Sequence, residues 1–161
     1  MGERIEQIKE DLKHLFPKLK DDGDFSITSK ATPAYNCIAW AYGIDNRWMW
    51  PNTGEHPFLD GVHYWPSDEI QSPSIENFIK AFQQRGYECC DNGDFEQGYQ
   101  KIALYAKPDS WGICTHASRQ KRNGCWTSKL GRECDIQHGT PDTIENNIYG
   151  KVRCYMKRVF E

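Results

Sequence analysis

One cysteine of this chain sits where a thiol can become a nucleophile. Cys37 lies in Ala34-Tyr35-Asn36-Cys37-Ile38-Ala39-Trp40-Ala41-Tyr42-Gly43, behind a loop rich in Ser, Thr and Pro, at the expected start of a short helix. Unpaired backbone N–H groups and the positive end of a helix dipole favour the thiolate there. Downstream, Thr115-His116-Ala117-Ser118 falls inside an expected strand and can deliver an imidazole from a sheet to a thiol on a helix. Cys37 would attack an amide or ester carbonyl, and His116 would take up and return the proton. The backbone N–H of Cys37 would form part of an oxyanion hole, with Tyr35 or Asn36 as candidates for the other donor.

These residues need a helix and a sheet to meet, and the chain reads as both. Apolar residues at 5, 8, 12, 15, 16 and 19 give an N-terminal helix that ends near Pro17, within an N-terminal helical segment 1–22. Phe25 to Pro33 reads as extended or looped, with Pro33 able to open the helix that carries Cys37. That helix is apolar nearly all round, so it is expected to be central and buried. Residues 45–71 show no period and hold Trp48, Trp50, His56, Phe58, His63 and Trp65. A loop this long and aromatic is expected to carry function. Ser72-Pro73-Ser74-Ile75-Glu76 starts an amphipathic helix that runs through Arg85, with Gly86 as its stop.

The rest, 101–159, reads as sheet. Strands are expected at 101–106, 113–120, 125–130 and 151–159, with Asn123-Gly124 turning a hairpin whose tight loop needs positive φ. Helices first and an antiparallel meander second make an α+β fold in one domain, 1–161. On the second strand, Cys114, His116, Ser118 and Gln120 share one face, and Thr115, Ala117 and Arg119 the other. Its hairpin partner brings Thr127 or Ser128 beside His116, and His138 is a further candidate to orient the imidazole.

Composition narrows the partners. The 161 residues carry a net charge of −3 with both signs scattered, so no basic face argues for nucleic acid. The charged N-terminus lacks an apolar signal region, no stretch reaches transmembrane length, and Glu6 stands where a myristoylation signal wants Ser or Thr. Seven cysteines, two of them adjacent at 89 and 90, fit reduced thiols in a cytoplasm better than a disulfide framework. The other six (89, 90, 114, 125, 134 and 154) are expected in or near the core. Cys114, Cys125 and Cys134 lack zinc-ligand spacing, so neither metal nor cofactor is expected.

Cysteine on an early helix, histidine on a central strand and a polar residue twelve positions later resembles the bacterial cell-wall peptidase branch of the papain-like superfamily and its CHAP relatives, over about residues 30–130. The likeness is topological, since those peptidases carry Asp-Cys followed by Ser or Gly, and His, Asn or Gln at the third position. YNCIAWA, THASRQ, NGCWTSKLG and YGKV together resemble an uncharacterised bacterial family of no established activity. The resemblance implies a papain-like fold, N-terminal helices on an antiparallel sheet.

Three functions follow as expectations. The first is a cysteine hydrolase or deamidase with Cys37 and His116 as the catalytic pair and Ser128 or His138 as third member. Its peptide, protein or acyl substrate would contact Tyr35, Asn36, Trp48, Trp50 and Trp65. The second is a non-catalytic protein-binding module anchored by the Trp-rich loop. The third is an effector or toxin domain delivered without a signal peptide.

Overall fold

The computed structural model describes residues 2–51, 63–67, 69, 71–130 and 133–160, excluding the side chains of Gly2, Glu3 and His63. The fold is α+β. Strands β1 (Ser26–Ile27), β4 (Glu88–Cys90), β5 (Tyr99–Ala106), β6 (His116–Gln120), β7 (Trp126–Lys129), β8 (Asp135–His138) and β9 (Lys151–Val159) form one antiparallel sheet in the order β1-β8-β7-β6-β5-β9-β4. A separate ribbon pairs β2 (Trp48–Met49) in parallel with β3 (His63–Tyr64), inside the stretch expected to be an irregular loop.

Both faces of the sheet are covered. Helices α2 (Cys37–Tyr42) and α3 (Ile75–Gln84) cover one, and their Ile38, Ala41, Phe78 and Phe82 meet Ile102, Leu104, Ala117 and Met156. Helix α1 (Gly2–Leu15) and the 3-10 turn Pro17–Asp21 cover the other, where Leu12, Phe16 and Leu19 meet Ala103, Tyr105, Trp126 and Ile136. The period of two along β5 sends 102, 104 and 106 to the first layer and 103 and 105 to the second.

Local chemistry explains the boundaries. Pro17 ends α1 and opens the 3-10 turn, because its ring cannot continue the α hydrogen-bond ladder. Helix α2 starts at Cys37 behind an Asn36 cap, not at Pro33. Ser74 caps α3 by accepting from the Asn77 N–H at 3.2 Å, one residue later than the expected proline start. The 121–125 hairpin forms where expected but by another turn. Within this turn Gly124 takes positive φ (91°) and Asn123 does not, so a three-residue loop with a glycine bulge replaces the Asn-Gly type. At Gly150, φ is 79° and a Cβ would lie 2.1 Å from the Ala106 carbonyl oxygen, so only glycine lets β9 start against β5.

Candidate functional site

Asn36 does most to place Cys37. Its side-chain oxygen accepts from the Ala39 N–H (3.0 Å) and the Met49 N–H (3.1 Å), and its amide donates to the Met49 carbonyl (2.8 Å). One side chain therefore caps α2 and holds β2 to it. The role fixes the Asn36 side chain between α2 and β2, and the residue is 3 % exposed, so its amide is turned to the main chain instead of to an oxyanion. Tyr35 is committed as well. Its hydroxyl donates to Asp135 Oδ2 at 2.6 Å, and burial together with that carboxylate pushes its pKa up to about 12.

The Cys37 thiol is sealed, with the residue 8 % exposed. Burial pushes its pKa up to about 11, although the N–H groups of Ala117, Ile38 and Cys37 itself and the charge of Lys129 all favour the thiolate. Helix α2 has only six residues, so its dipole is short, and desolvation wins. The thiolate–imidazolium pair expected from the sequence is absent in this state.

His116 lies on the opposite face of β6 from α2. Its ring stacks on Tyr149 (4.0 Å between centroids, 11° between planes) and meets Tyr105 edge-on at 5.2 Å. It is fully buried, and neither ring nitrogen has a hydrogen-bond partner. Burial drives its pKa well below 6.5. Ala117 and Cys37 belong to the α2 layer instead. Cys114 also joins that layer, because the alternation extrapolated from β6 breaks before His116, where the strand begins.

The candidates for third member do not reach His116. Ser128 bonds His138 Nε2 at 2.9 Å and the Ser118 hydroxyl at 2.7 Å, and Ser118 in turn donates to the Tyr105 hydroxyl at 3.0 Å. His138 Nδ1 faces the Thr140 carbonyl at 2.8 Å. Burial pushes its pKa down to about 4, against that carbonyl's opposing effect. Ser128–His138–Thr140 thus has the connectivity of a nucleophile, a base and an orienting group, but Ser128 and His138 are 0 % exposed and no substrate can reach them. Thr127 accepts from Trp40 Nε1 (2.9 Å) and donates to the Arg119 carbonyl (3.0 Å).

The tryptophans divide. Trp65 is core, edge-on to Phe78 at 5.0 Å, with its Nε1 donating to Gln71 Oε1 at 2.9 Å. Trp50 is half-buried and meets the same Phe78 at 5.3 Å. Trp48 is half-buried on β2, where alternation turns it away from the fully buried Met49. His56 and Phe58 lie outside the described residues, as does the side chain of His63. His14 is exposed on α1. Cys89 is exposed as well, against its expected place in or near the core.

One buried polar group escaped the sequence reading. Lys129 is 0 % exposed, and its ammonium donates to the Thr32 carbonyl (2.8 Å) and the Glu133 carbonyl and lies 5.2 Å from the Tyr35 ring centroid. It stands opposite Asp135 across β7 and β8. The only signal available was a pair of opposite charges on either side of one turn, Lys129 closing β7 and Asp135 opening β8. Around Cys37 the sheet has a seam. Strand β6 is laddered to β7 only at Arg119–Thr127 and Gln120–Trp126, whereas β7 stays paired to β8 out to Lys129–Asp135.

Among the described residues no group of three or more His, Cys, Asp or Glu is placed to hold a metal ion, and no helix is long and apolar enough to cross a membrane. No curated protein matches the chain. No solved structure matches it either. A family model described as a domain of unknown function (DUF7689) matches residues 26–157, so the chain belongs to that family.

Proposed function

We propose that the protein is a non-catalytic module that binds a protein or peptide through the aromatic ribbon of β2 and β3. The observation that carries this reading is the placement of Trp48, half-buried on a ribbon whose inward residue, Met49, is fully buried and hydrogen-bonded through both its N–H and its C=O to Asn36. A large aromatic side chain on a rigid base loses little entropy on binding, which is the character of an interface anchor. Elsewhere on the ribbon Trp50 and Tyr64, both half-buried, pack against the core, and the Arg47 guanidinium lies 5.8 Å from the Tyr64 ring centroid. The sealed, neutral Cys37 supports the same conclusion.

Peptides selected from a random display library are the probe. Trp48→Ala should weaken the selected peptides at least tenfold with an unchanged denaturation midpoint, while Cys37→Ala should bind like the parent. Binding that survives Trp48→Ala but fails in Cys37→Ala would sink the ribbon as the anchor.

A second reading rests on the seam. The Ala117 N–H reaches the Cys37 sulfur there, and the adjoining residue carries an imidazole with two unpartnered nitrogens. A papain-like cysteine hydrolase that opens at this seam, with Cys37 as nucleophile and His116 as base, would use both. Iodoacetamide separates the two readings. A sealed thiol with a pKa near 11 should alkylate at pH 7 at least tenfold more slowly than the exposed Cys89. Faster labelling of Cys37, lost in His116→Ala, would favour the hydrolase.

A further inference from the structure

We infer that Cys89 and Cys154 form an oxidative modification site, a dithiol that closes to a disulfide and staples the sheet's edge strand β4 to β9. Their sulfurs lie 4.0 Å apart, and both cysteines are free thiols. In the β4–β9 register Cys89 stands opposite Met156, so Cys154, two positions along β9, shares its face. A disulfide needs the sulfurs at about 2.05 Å, an approach of about 2 Å. Strand β4 can move that far because it has three residues, pairs on one side only and leads into a bend at Asp91.

The two thiols differ in access. Cys89 is exposed and Cys154 half-buried, so Cys89 meets a soluble oxidant first. Burial, with Cys89 beside it, pushes the Cys154 pKa up to about 12, which leaves Cys154 the resolving partner. With a low-molecular-weight disulfide as oxidant, the Cys89 thiolate attacks one sulfur and expels one small thiol. The Cys154 thiolate then attacks the Cys89 sulfur of the mixed disulfide and expels the second. Two protein thiols are oxidised, one small disulfide is reduced to two thiols, and both protons go to the leaving thiolates. Cys90 does not compete, since it faces the other side of β4 and its thiol donates to the Asn92 carbonyl at 3.5 Å.

The test equilibrates the folded, full-length chain with oxidised glutathione and maps the product by peptide mass. A Cys89–Cys154 link with two fewer titratable thiols is expected. Because the bridge joins residues 65 apart, the melting midpoint should rise by roughly 5–15 °C and fall back on reduction. Cys89→Ser and Cys154→Ser should each abolish the link and the rise, and Cys90→Ser should keep both. A glutathione adduct on Cys89 that never resolves, a link through Cys90, or an unchanged thiol count would overturn the assignment.

Discussion

Asn36→Ala should cost the folded state roughly 3–5 kcal/mol, a large share of what a domain of this size has. The buried amide makes three hydrogen bonds, one as the cap of α2 and two to the main chain of Met49. Losing an Asn cap costs about 1 kcal/mol. Leaving the Met49 N–H and C=O unpaired in a buried site costs about 1–3 kcal/mol each. Asn36→Asp keeps the acceptor for both N–H groups but sets a carboxylate against the Met49 carbonyl, so it should also destabilise. Urea denaturation with an unchanged m-value reads the effect. A loss below about 1 kcal/mol for Asn36→Ala would show that α2 and β2 are held together by packing alone.

Stability should also fall steeply between pH 6.5 and 4. His116 and His138 are both fully buried and neutral, with pKa values held below the ordinary 6.5 by burial, His138 at about 4. In this window the unfolded chain takes up protons on these imidazoles that the folded chain refuses. A histidine with a depressed folded pKa contributes fully above the unfolded value and loses that contribution as pH falls towards the folded one. From 6.5 to about 4, His138 alone accounts for roughly 3 kcal/mol at the low end. Because carboxylates begin to titrate below pH 5, the slope between pH 7 and 5 is the cleaner measure. His116→Phe should keep the stack on Tyr149, remove two orphaned polar atoms and reduce that slope by up to one proton. Denaturation midpoints that stay flat from pH 7 to pH 5 would refute the burial of both rings.

Above pH 9 the sign reverses for Cys37. Its folded pKa near 11 lies above the ordinary thiol value, so the unfolded chain releases a proton that the folded chain keeps. Cys37→Ala should therefore flatten the alkaline limb.

Local sequence determined much of the frame. Apolar runs and period-two alternation placed β5, β6, β7 and β9, the proline-containing turns placed α2 and α3 to within a few residues without their Asn36 and Ser74 caps, and Asn123-Gly124 marked the turn. The three short strands β1, β4 and β8 were not legible, because each has two to four residues and exists through its neighbour's hydrogen bonds. For the same reason the β2–β3 ribbon, whose strands are fourteen residues apart or more, read as irregular loop. The candidate site divides along the same line. Cys37 at a helix start and His116 on a strand follow from local pattern, and so does the alternation within β6. Which face of β6 meets α2 does not follow. A strand packed on both sides need not have one apolar and one polar face, and β6 has polar residues on both, Arg119 beside Ala117 on one and His116 and Ser118 on the other. Only the tertiary layers, α2 and α3 above the sheet and α1 below it, decided that the thiol and the imidazole lie on opposite faces and that both are sealed and neutral.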